Sequence, residues 1–117
     1  MKHTEHDLQV GCVRWFRLAY PRELIFAIPN GGARDAVTGA MLRAEGATRG
    51  IPDLMIAAKR AGYGGMFIEM KSAKGRLSVS QAQMIARLKE LDYYCEVCRS
   101  FDEFTAAVRW YMSRIGG

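Results

Sequence analysis

The chain is 117 residues long and half hydrophobic, with seventeen Lys and Arg against twelve Asp and Glu, and it carries a net charge of +5. That length suits one domain, residues 1–117, and no apolar run reaches the ~20 residues needed to cross a bilayer. The polar opening Met1–Asp7 does not read as a secretory signal, and three cysteines without one read as reduced thiols in a cytoplasm, that of a bacterial or phage-infected cell.

Thr4 and Asp7 predict a capping box that opens a first helix. Leu8, Cys12, Trp15, Phe16 and Ala19 then recur on one helical face until Pro21 ends it. Leu24–Ile28 predicts a short strand, broken by Pro29-Asn30-Gly31-Gly32. Residues 36–46 predict a short helix stopped at Gly46. Gly50-Ile51-Pro52 leads into a second strand, Asp53–Ala57, which a Gly-rich turn over Gly62–Gly65 joins to a third, Met66–Lys71. After the loop at Lys74-Gly75-Arg76, Ser78 starts a helix to about Leu91. Tyr94–Cys98 predicts a fourth strand. Ser100 and Glu103 predict a capping box for the last helix, whose stripe is Phe101, Phe104, Val108, Tyr111 and Ile115. Strands two and three can pair as a hairpin, and the helix from Ser78 can cross over to make strands three and four parallel. The expected fold class is therefore α/β, a mixed four-stranded sheet flanked by helices.

Candidate chemistry centres on Phe67-Ile68-Glu69-Met70-Lys71. Alternation along a strand puts Glu69 and Lys71 on one face, and pairing of the two strands brings Asp53 to the same sheet end. Two carboxylates and a main-chain carbonyl suit a hard cation such as magnesium. A lysine beside them can orient a water or stabilise charge on phosphate. The plain alternative is a surface strand with a solvated Glu and Lys. Glu5 shares the apolar face of Leu8 and Cys12, where a carboxylate is costly unless partnered, or else it simply favours the first helical turn. Gln81 either holds a water or a phosphate oxygen, or closes a capping box with Ser78.

Taken in order, Thr4-Glu5, Ile28-Pro29-Asn30-Gly31-Gly32, Gly50-Ile51-Pro52-Asp53-Leu54, Glu69-Met70-Lys71 and Leu77-Ser78 with Gln81 resemble the VRR-NUC domain, the virus-type replication-repair nuclease, in its stand-alone form. The resemblance runs from residue 4 to about residue 100. It implies a restriction-endonuclease-like (PD-(D/E)xK) core and phosphodiester hydrolysis with Mg2+ or Mn2+. It implies catalytic roles for Glu5, Asp53, Glu69, Lys71 and Gln81. The metal would be held by Asp53, Glu69 and the Met70 backbone carbonyl, with Glu5 a further candidate for its shell. Asn30, Gly31 and Gly32 are candidate phosphate contacts through their amides, or a plain strand-to-helix turn. Arg34, Arg43, Arg49, Lys74 and Arg76 are candidate phosphate contacts on loops, or solvated charges.

The basic balance, with a pI near 9.4, fits a polyanionic partner, though many basic proteins bind none. The resemblance makes DNA, branched or duplex, the expected substrate, with Holliday-junction-resolvase-like action by a homodimer. Trp15, Trp110 and Tyr111 are candidate interface residues, Trp110 first because it lies off the apolar stripe. The alternatives are a flap or splayed-arm repair nuclease, an RNA nuclease and a DNA-binding module that does not cut. Cys95-x-x-Cys98 in a strand faces two ways and does not read as a zinc site. His3 and His6 read as solvated, with general-base catalysis the less favoured reading.

Overall fold

The computed structural model describes residues 4–29 and 35–116. The first helix, α1 (Glu5–Ala19), starts as its sequence predicts. Thr4 Oγ1 accepts the Asp7 N–H at 3.1 Å, and the Asp7 carboxylate accepts the Thr4 N–H at 3.2 Å. Its end follows from Pro21, whose ring disfavours a helical residue before it, and Tyr20 is accordingly non-helical. β1 is Ile25–Ala27, and α2 (Ala36–Ala44) is capped by Asp35, whose carboxylate accepts the Thr38 N–H at 2.8 Å. Then come β2 (Leu54–Ile56), β3 (Met66–Met70), α3 (Val79–Glu90), β4 (Tyr94–Cys98) and α4 (Phe101–Met112). The predicted break at Asn30, Gly31 and Gly32, and Arg34 with it, lies outside the described residues.

The sheet runs β1-β2-β3-β4, antiparallel at the first two pairs and parallel between β3 and β4, as the intervening α3 requires. Alternation sorts the core into two layers. Leu54, Ile56, Met66, Ile68 and Cys98 pack on Cys12 and Phe16 of α1 and on Phe104, Val108 and Tyr111 of α4. Phe67 and Cys95 face the other way, onto Ile85 and Leu88 of α3. All five residues of β3 are buried, as expected of a central strand covered on both faces. Burial of each large side chain such as Phe16 or Phe104 contributes roughly 1.5–3 kcal/mol. The three thiols are free and buried, and Cys95 and Cys98 lie in opposite layers, so they share no metal.

Five expectations change, the first being Phe101 of the predicted stripe, which is 41% exposed at the start of α4. Ala19 is exposed, at the last turn where α1 no longer faces the sheet. Ile115 lies beyond α4 and is 87% exposed, because the helix ends at Met112 before the stripe repeats again. Glu103 accepts the Arg99 N–H, not that of Ser100, so the predicted box is closed on one side only. Arg43 sits in the last turn of α2 and not in a loop.

Candidate active site

Pro52 shapes the site by what it lacks. It is buried at the entry to β2 and has no N–H to give the ladder, and the antiparallel pairing stops at Leu54 opposite Ile68. Extending that register by one residue sets Asp53 beside Glu69. The Asp53 carboxylate takes over where the ladder ends and accepts the Met70 N–H at 2.7 Å. Asp53 is thus fixed by the backbone of the strand that carries the second carboxylate.

Glu69 is 3% exposed. Its Oε2 accepts from Gln81 Nε2 at 3.1 Å and lies 3.6 Å from Lys71 Nζ. Its Oε1 is buried and has no hydrogen-bond partner. Burial, then the neighbouring Asp53 charge, pushes the Glu69 carboxyl up to about 7, with Lys71 opposing. Burial likewise raises Asp53 above its ordinary value, against the Met70 N–H and Lys71. Without a cation, the pair as a unit holds a proton to near neutrality.

Gln81 closes the predicted capping box and also reaches Glu69. Ser78 Oγ accepts the Gln81 N–H at 3.1 Å and Gln81 Oε1 accepts the Ser78 N–H at 2.9 Å, which completes the capping box. The amide nitrogen then points into the site. Gly50 locks this helix end against the Asp53 loop. Its φ is +83°, and a Cβ there would stand 2.4 Å from the Ser80 carbonyl oxygen. A close backbone approach therefore demands the glycine of Gly50-Ile51-Pro52-Asp53.

Glu5 is exposed in the first turn of α1, not buried with Leu8 and Cys12. Its carboxylate accepts the Ser72 N–H at 2.8 Å, so α1 is tied to the residue after Lys71. Arg99 holds the same loop from the far side, donating to the carbonyls of Ser72 and Gly75. Glu5, Asp53, Glu69, Met70, Lys71 and Gln81 all line one cavity of about 890 Å³. The residues predicted for catalysis and metal binding are therefore brought together. Arg49, Lys74 and Arg76 are exposed but do not line that cavity.

The donor set fits a hard divalent cation. Two carboxylates stand side by side, one oxygen has no proton donor, and the Met70 carbonyl comes next along β3. Among the described residues no three His, Cys, Asp or Glu side chains cluster at metal-holding spacing, so a carbonyl and waters would complete the shell.

A second face of α1 was not singled out from the sequence. Glu5, Gln9, Val13 and Arg17, with His6, Val10, Arg14 and Leu18 beside them, line the cavity along the whole helix. Their spacing of four is the signal that could have found them.

The family model of the VRR-NUC domain matches residues 3–102. A solved structure described as a VRR_NUC domain protein superposes with a TM-score of 0.80 at 22% identity, covering 97% of this chain and 92% of that one. That likeness establishes the shared fold. No curated protein matches the chain.

Proposed function

Because the chain belongs to the VRR-NUC domain family, a family of nuclease type, we propose that it is a Mg2+- or Mn2+-dependent DNA endonuclease, with Asp53, Glu69, Lys71 and Gln81 at its centre. The observation that carries this reading is the buried Glu69 Oε1 without a partner, beside Asp53 and opposite Lys71. A buried acceptor in that state costs free energy, and a cation relieves it.

Hydrolysis of a phosphodiester must overcome the repulsion between its charge and an incoming nucleophile. A divalent cation, if held by Asp53, Glu69 and the Met70 carbonyl, would neutralise charge there and make a water easier to deprotonate. Lys71, held by Glu69 at 3.6 Å, offers its remaining N–H donors to the nucleophile or to a phosphate oxygen. Gln81 spends Oε1 on Ser78 and one amide N–H on Glu69, which leaves one N–H for water or phosphate. Glu5 braces the loop after Lys71 through Ser72.

The substrate is DNA, and the structural preference we favour is a four-way junction cut by a homodimer. Supercoiled plasmid tests the chemistry. Nicking should require Mg2+ or Mn2+ and vanish in chelator, and persistence in chelator would overturn the metal requirement. A panel of linear, flap, splayed and four-way substrates then tests the preference. Faster cutting of flaps than of junctions would make the chain a flap-type repair nuclease.

A further inference from the structure

The cavity does not end at the carboxylates. It continues along the full length of α1, with its acidic end at Glu5 and Glu69 and its basic end at Arg14 and Arg17. Both arginines are exposed, and among the described residues neither has a carboxylate within 4 Å. Two like charges three residues apart on a helix repel each other. Arg17 gains from its place in the last turn, while Arg14 lies a turn earlier and gains less. Between the two ends lie Gln9, Val10 and Val13, a mostly apolar stretch in which Val10 is 41% exposed, and Leu18 beyond Arg17 is 78% exposed. An acidic centre, an apolar stretch and a basic pair in one groove match a strand of nucleic acid, which presents phosphates at intervals with sugars between.

We infer that Arg14 and Arg17 bind DNA phosphates at a fixed distance from the bond that is cut, so that α1 sets how far the substrate must extend. This rests on the nuclease reading above. Nine and twelve residues of helix separate Glu5 from the two arginines, roughly 14 and 18 Å along the axis. At about 3.4 Å per nucleotide along a duplex strand, that span is about four to five nucleotides. The ligand is thus the backbone of the substrate strand on one side of the cut.

Binding of a fluorescein-labelled duplex in Ca2+, followed by anisotropy over a salt series, tests the contact. Replacing both residues, Arg14→Gln with Arg17→Gln, should make the slope of log affinity against log salt shallower by about two, or one per arginine. Lysine at both positions should restore the slope, since it keeps the charge. Cleavage of end-labelled duplexes in Mg2+ tests the spacing. The wild-type chain should cut poorly within about four to five nucleotides of one end, and the double glutamine variant should lose that contrast. An unchanged salt slope in the double variant, with wild-type chain that binds and cuts, overturns this site and leaves the nuclease reading standing. A wild-type chain that neither binds nor cuts in Mg2+ overturns both.

Discussion

Glu69 is buried where folding disfavours its charged form, the form that the proposed metal binding needs. Its carboxyl is raised to about 7 from the 4.5 of an ordinary glutamate, by burial first and by Asp53 second. The unfolded chain therefore releases this proton at lower pH than the folded one, and the metal-free protein loses stability as pH rises through that window. Asp53, raised in the same direction, adds to the slope. Glu69→Gln should abolish plasmid nicking, flatten the metal-free decline of Tm across the window and raise Tm above it. A Tm that still falls as steeply would show that another group sets the slope. Lys71→Ala should lower turnover by roughly 10²–10³-fold while leaving manganese affinity close to wild type, because a charged lysine cannot ligate. Lys71→Arg should rescue poorly, since the guanidinium is planar and larger. Titration calorimetry with Mn2+ decides this, and a loss of binding as large as that of Asp53→Asn would remove Lys71 from its assigned role.

At the level of elements, the first turn of α3 ties stability and the proposed chemistry to different atoms of one residue. Ser78→Ala removes only the cap and should cost about 1 kcal/mol with little change in turnover. Gln81→Glu can keep the capping box but has no N–H for Glu69 or substrate, and its single-turnover rate should fall by roughly 10²-fold. Melting curves and single-turnover rates measured on both variants separate the roles, and equal rate losses would mean that the cap itself is what the site needs. Gly50→Ala has a built-in control in Gly62→Ala. The two glycines share a φ near +85°, yet only at Gly50 would a Cβ meet backbone. Both variants should lose roughly 1 kcal/mol or more to backbone strain, and Gly50→Ala should lose further stability and cleavage through displacement of the Asp53 loop. Equal melting temperatures would count against that contact.

The same elements show what could be read in advance. Strand pairing was legible because a helix between strands three and four leaves little choice but a parallel crossover. Asp53 and Glu69 were legible because alternation and Pro52 fix their face and their end. Of the two readings open for Glu5, the exposed first helical turn is the one found, because the apolar face of a helix says nothing about where the neighbouring sheet stops. The approach of Gly50 to Ser80 depends on a tertiary contact between segments distant in sequence, which leaves no local periodicity, whereas the cavity-lining face of α1 carries a spacing of four whose mixed polar and apolar residues hide it from a reading of apolar residues alone.

For the whole molecule, the open question is assembly. Trp110 is 43% exposed, stacks on Tyr94 at 5.1 Å between ring centroids and carries Arg114 over its ring at 4.6 Å. Trp15 packs partly buried against the core, and Tyr111 is fully buried with its hydroxyl donating to the Ala58 carbonyl at 2.7 Å. Of the three interface candidates, Trp110 is the one that remains available. Light scattering at micromolar concentration should give twice the chain mass of 13.1 kDa, and Trp110→Glu should return the monomer. A monomeric wild-type chain would remove the paired-cut mechanism on four-way junctions. The hairpin of β2 and β3 has a consequence of another kind. Asp53, Glu69, the Met70 carbonyl and Lys71 all come from it, held by one proline and one side-chain bond to the backbone. Most of the remaining cavity lining comes from α1, with Gln81 from α3. In the proposed nuclease the hairpin thus carries the metal-binding groups while α1 carries the strand contacts, and substitutions on the exposed face of α1 can change those contacts while leaving the hairpin alone.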